Sequence, residues 1–150
     1  MFNKLSDWLI RNAKGWLILV LLGLFFLFNL VIMPSGQKWM GGTAHEVGSI
    51  DLTFGASPAS FFDKVEAYGP QGRAAYRVFT LTADVAYPVI YSLFMGLAIT
   101  YTFRRIFPEK SGLQKLNLVP FAAFLFDVLE NLGIAAMLTA YPQRFIGLAV

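Results

Sequence analysis

Residues 116–138 read LNLVPFAAFLFDVLENLGIAAML, and this stretch decides the fold class. Its length and apolar character are those of a membrane-spanning helix. In its middle stand Asp127, Glu130 and Asn131. A carboxylate at bilayer depth costs about 2.5–3.5 kcal/mol on insertion scales, so it is kept there for a reason.

Working outward, a second apolar stretch runs over Val78 to Phe103 and carries Asp84. A third runs over Trp16 to Met33, with Asn29 as its main polar interruption. At about 1.5 Å per residue it reaches about 27 Å, close to the thickness of a hydrocarbon core. Lys4, Arg11 and Lys14 precede it, as in a signal peptide, but the apolar run is long and no small-x-small cleavage site follows. It reads as a retained anchor. Composition agrees: 57% of the 150 residues are hydrophobic and only 14% are charged, against about 25% in an average soluble domain. There is no cysteine and a single histidine, His45. Disulfides, thiolate metal sites and a cysteine nucleophile are excluded, and haem or zinc held by several imidazoles is disfavoured. No cofactor is expected.

Charge gives the orientation. Residues 1–15 carry Lys4, Arg11 and Lys14 against Asp7, and residues 104–115 carry Arg104, Arg105, Lys110 and Lys115 against Glu109. The segment 34–75 carries Lys38, Lys64 and Arg73 against Glu46, Asp51, Asp63 and Glu66. An up-down arrangement puts the two basic segments on one side and the acidic one opposite. The positive-inside rule then makes the N-terminus cytoplasmic. The net charge of +3 follows from topology and gives no reason to invoke nucleic acid.

The connecting segments have their own signals. Phe2, Leu5, Trp8 and Leu9 recur at helical spacing among basic residues, which suits an interfacial helix. Ile50, Leu52 and Phe54 alternate within a glycine-rich loop and allow a short extended piece. Ser57-Pro58 predicts a helix start, with serine as N-cap and proline at the first helical position. That helix, over 58–67, presents Phe61, Phe62 and Val65 on one face and reads as an outer surface helix. Gly69 ends it, and Pro70 opens a helix expected to run unbroken into the second span. After Pro142, the apolar stub Phe145 to Val150 is too short to cross a bilayer. It reads as a fourth span cut short, or else as a stub packed on the bundle. The expected fold is therefore an all-α polytopic bundle, one integral membrane domain over residues 1–150. It has three full spans, a partial or truncated fourth, and the surface helix.

The second span carries the most specific pattern. Arg73, Arg77, Thr80, Asp84, Tyr87 and Tyr91 follow spacings of 4, 3, 4, 3 and 4. At about 100° per residue they fall within an arc of about 80°. Such a stripe must face protein or a water-filled cavity, because lipid cannot satisfy it. Asp127, Glu130 and Asn131 form a second polar patch. A hairpin of the two spans places both patches in the outer half of the membrane, where Asp84, Tyr87, Tyr91, Asp127, Glu130 and Asn131 are expected to share one pocket. Pro88 lies inside the stripe and leaves the carbonyl near Asp84 without its helical donor.

Three kinds of function fit this pattern. The leading expectation is a pocket binding a lipidic or small polar ligand, or a cation on oxygen ligands, in connection with transport. The second is an enzyme acting on a lipid, with carboxylates and tyrosines as acid and base. The third is a non-catalytic assembly subunit whose polar groups bond helix to helix. Arg73 and Arg77, one turn apart near a helix start, suit a lipid phosphate or ordinary snorkelling to the interface. Tyr68 and Tyr76 read as an aromatic belt. Membrane lipids, a lipidic or cationic ligand and further copies of the chain are the partners expected.

Overall fold

The computed structural model describes residues 2–39, 48–50, 57–108 and 111–143. His45, Glu46, Leu52, Phe54 and the stub Phe145 to Val150 lie outside them, and with them the extended piece and the fourth span. Every described element is helical. They are α1 (Phe2–Asn12), α2 (Gly15–Leu27), a π-helical turn (Phe28–Ile32), α3 (Met33–Trp39), α4 (Pro58–Ala67), α5 (Gly69–Ile106), a 3-10 helix (Gly112–Leu118) and α6 (Val119–Ala140). Three continuous helices are long and apolar enough to cross a membrane: Gly15–Trp39, Gly69–Ile106 and Gly112–Ala140.

Burial agrees with a bilayer as solvent. In α2 only Leu21 is buried. Leu19 is 68% exposed, Leu30 72%, Phe126 71% and Leu129 65%. A helix apolar on every side yet scarcely covered by protein belongs in lipid. In α5 the apolar stretch 78–103 is bounded in the sequence by Arg77 and Arg104, and its 26 residues are enough helix to cross a hydrocarbon core.

Local signals act as the chain dictates. Ser57 caps α4, its hydroxyl accepting from the Ser60 N–H at 3.4 Å, with Pro58 in the first turn. Gly69 adopts φ +63°, a left-handed conformation that stops α4 and suits a residue without a Cβ. From Gly69, α5 then runs without a break to Ile106. The π-helical turn was not foreseen. It holds Asn29 and ends two residues before Pro34. Proline lacks the N–H that would bond the carbonyl four residues back, and widened turns absorb such a defect in membrane helices.

The chain divides into two compact units, Met1–Phe28 with Ala86–Asp127, and Asn29–Val85 with Val128–Val150. In the first, Leu9, Leu21 and Leu97 form the centre, with Leu5, Leu17, Phe94 and Phe121 around them. Here α1 is more than a helix lying on lipid. Its Leu9 is fully buried, and Ser6 donates to Asn117 Oδ1 at 3.1 Å. Asn117 Nδ2 in turn donates to Thr100 Oγ1 at 3.0 Å, and the Thr100 hydroxyl donates to the Gly96 carbonyl at 2.8 Å. Gly96 is required by closeness: a Cβ there would lie 3.0 Å from the Asn117 carbonyl oxygen and 3.0 Å from the Phe121 ring. Arg104 Nη1 donates to the Ile10 carbonyl at 2.8 Å. The two basic segments of the sequence therefore meet at one end of this unit.

In the second unit Phe62, Val65, Tyr68, Tyr76, Phe79, Ile134, Met137 and Leu138 pack with Ile50. Tyr68 and Tyr76 are thus core residues, which corrects the aromatic-belt reading. The Tyr68 hydroxyl donates to the Gly48 carbonyl, and the Ile50 N–H donates to the Tyr76 hydroxyl at 2.9 Å. Both rings are buried because their polar ends find main-chain partners. Helix α3 fits against Phe79 through Gly36, where an added Cβ would fall 1.9 Å from the ring.

Candidate functional site

The polar stripe of α5 resolves into groups with different partners. Towards its first turns, Arg73 Nη1 donates to the Val65 carbonyl at 3.2 Å, and its guanidinium lies 4.0 Å from the centre of the Tyr141 ring. Arg77 is exposed, and its Nη1 donates to Thr139 Oγ1 at 3.4 Å. The first arginine therefore closes the end of α4 and the second reaches α6. Thr80, fully buried, donates to Asp84 Oδ2 at 3.5 Å. Asn131 Nδ2 donates to the main-chain carbonyl of Asp84 at 3.0 Å. This is the carbonyl that Pro88 deprives of its helical donor, so the amide of α6 replaces the missing N–H of α5. Asp84 is half-buried, and Glu130 is exposed on α6 beside Leu129 and Leu132.

Further along, Tyr91 O–H donates to Asp127 Oδ2 at 2.7 Å. This is the short distance typical of a hydroxyl bonded to a carboxylate. Tyr87 stands beside Tyr91, edge to face, with ring centres 5.5 Å apart. On its other side Tyr87 stacks with Phe25 at 5.9 Å and with Phe28 at 6.0 Å. Phe25 also stacks on Phe94 at 5.8 Å. Asp127 is thus oriented by a tyrosine that belongs to a run of rings from α2 to α5. Both members of the Tyr91–Asp127 pair are half-buried. Phe25 and Phe28 were not singled out in the sequence; within a wholly apolar helix nothing distinguished them from lipid-facing phenylalanines.

Tyr87, Tyr91 and Asp127 fall together in the first unit, and Arg73, Arg77, Asp84, Glu130 and Asn131 in the second. Among the described residues no group of three or more histidines, cysteines or carboxylates is placed to hold a metal ion. The chemistry on offer is that of an oriented carboxylate next to tyrosine hydroxyls. It can accept hydrogen bonds from hydroxyl or ammonium groups, and the ring faces can attract a cation.

A separate apolar groove of about 590 Å³ lies between α1 and the start of α6, lined by Lys4, Leu5, Leu118, Phe121, Phe124 and Leu125. No family model matches this chain, nor does any curated protein or any solved structure.

Proposed function

We propose that this chain is a small integral membrane protein that binds a lipidic or small polar ligand through Asp127, Tyr91 and Tyr87. The N-terminus and the 104–115 segment lie on the cytoplasmic side, and α4 lies on the outer side. The Tyr91–Asp127 hydrogen bond at 2.7 Å carries the reading. A carboxylate in the apolar stretch 116–138, bonded to Tyr91 in the apolar stretch 78–103, is costly in hydrocarbon, and one hydroxyl occupies one of its two oxygens. The rest of its hydrogen-bonding capacity suits a ligand that brings a donor from the bilayer. Other helix-to-helix bonds are made without a carboxylate side chain: Asn131 on the Asp84 carbonyl, Ser92 on the Pro120 carbonyl at 3.0 Å and Arg77 on Thr139.

The second reading is the assembly subunit, and the Asn131 bond favours it, since it joins α6 to α5 without any ligand. Purified wild type and Asp127→Asn separate the two. Thermal unfolding in detergent is followed with and without added membrane lipid extract. Ligand binding predicts that Asp127→Asn unfolds at or above the wild-type temperature and loses the stabilisation by lipid. A large loss of melting temperature, equal with and without lipid, supports the assembly reading instead.

A further inference from the structure

Near the last turns of α5, a cavity of about 310 Å³ is lined by Ala13, Tyr101, Arg104 and Arg105. It lies wholly within the first unit. Its described lining holds two cations and no carboxylate.

The arginines are pre-positioned. Arg104 Nη1 is fixed on the Ile10 carbonyl at 2.8 Å. Arg105 lies 3.6 Å from the centre of the Tyr101 ring, with its Nη1 on the Tyr101 carbonyl at 3.1 Å. Each of these bonds uses one of the five N–H donors of a guanidinium, and the others stay available for a planar, two-point grip on an anion. The Tyr101 ring, against which Arg105 lies, holds that guanidinium with little loss of freedom on binding. Ala13 sits in the two-residue link between α1 and α2, so Arg11 and Lys14 flank the same end. The start of α2 has no side-chain cap.

Depth identifies the ligand. Arg104 and Arg105 directly follow the apolar stretch 78–103, and Ala13 directly precedes the apolar helix α2, so the cavity lies at headgroup level where both helices leave the hydrocarbon. Basic pockets between helices at this level recognise phosphate headgroups.

We propose that this cavity binds the phosphate group of an anionic membrane lipid, gripped by Arg104 and Arg105. The site is distinct from Asp127 and depends only on the chain being embedded in a membrane.

The test is lipid binding by the purified full chain, read by native mass spectrometry, with phosphatidylglycerol against phosphatidylcholine. Each guanidinium near an anionic headgroup contributes about a five-fold preference. Wild type should therefore favour phosphatidylglycerol by at least about ten-fold. Arg104→Gln together with Arg105→Gln should bring both lipids to equal binding. Arg105→Gln alone keeps the bond from Arg104 to Ile10 and so guards against misfolding; it should lower the preference about five-fold. Lys64→Gln, in the second unit, should leave it unchanged. Equal binding of the two lipids by wild type, or an undiminished preference in Arg105→Gln, overturns the proposal. Displacement of phosphatidylglycerol by millimolar inorganic phosphate would assign the cavity to a soluble phosphate and overturn the lipid assignment.

Discussion

Asn131 completes the hydrogen bonding of a helix to which it does not belong: its amide donates at 3.0 Å to the Asp84 carbonyl that Pro88 leaves open. Proline in α5 and asparagine in α6 are therefore one feature. Asn131→Leu should cost about 1–3 kcal/mol, the penalty of a buried carbonyl left bare. Pro88→Ala restores a main-chain donor to that carbonyl. In a Pro88→Ala background the Asn131→Leu change should therefore be milder by about 1 kcal/mol. Chemical or thermal denaturation of the four proteins gives the coupling, and strict additivity would show that the two residues act independently.

Tyr91 and Asp127 predict unequal responses to small changes. Asp127→Asn keeps an oxygen for the Tyr91 hydroxyl, so stability should change by less than about 1 kcal/mol. Tyr91→Phe removes the donor and leaves the carboxylate in hydrocarbon; it should cost more, about 1–3 kcal/mol. The opposite ranking in detergent-solubilised protein would mean that the carboxylate is held chiefly by something other than Tyr91.

The Ser6–Asn117–Thr100 network makes α1 part of the folded protein. Asn117→Ala leaves the buried Ser6 hydroxyl without its acceptor and should release α1. Hydrogen exchange over residues 2–12 should accelerate while exchange in the middle of α5 stays slow. Unchanged protection of α1 would show that its apolar packing and the Arg104–Ile10 bond hold it without Asn117.

Gly36→Ala places a Cβ 1.9 Å from the Phe79 ring. The overpacking cost of about 1–3 kcal/mol should outweigh the gain of about 1 kcal/mol from replacing a helical glycine. Phe79→Leu should rescue the variant. A stabilised Gly36→Ala protein would mean that α3 stands further from α5.

Much of the fold was legible because its signals are local. Ser57-Pro58, Gly69 and the apolar runs act within a few residues, and the structure places α4 and α5 as they require. The stripe from Arg73 to Tyr91 and the open carbonyl before Pro88 were legible from periodicity and proline chemistry. The partners were not. Nothing local ties Ser6 to Asn117, 111 residues away, or Tyr76 to the Ile50 N–H. The π-helical turn around Asn29 also escaped, since Pro34 announces a defect without saying how the helix absorbs it. Phe25 and Phe28 gain meaning only from Tyr87, which sits on another helix.

The proposed topology has three membrane crossings, with the two basic segments on one side. The protein contains no cysteine, so single cysteines report without a background. Ser60→Cys in α4 and Ser111→Cys at the start of the 3-10 helix can each be treated in intact cells with a membrane-impermeant thiol reagent. The account predicts labelling at position 60 from outside, and labelling at position 111 only after the membrane is permeabilised. Labelling at 111 in intact cells with protection at 60, or equal labelling of both, would contradict it.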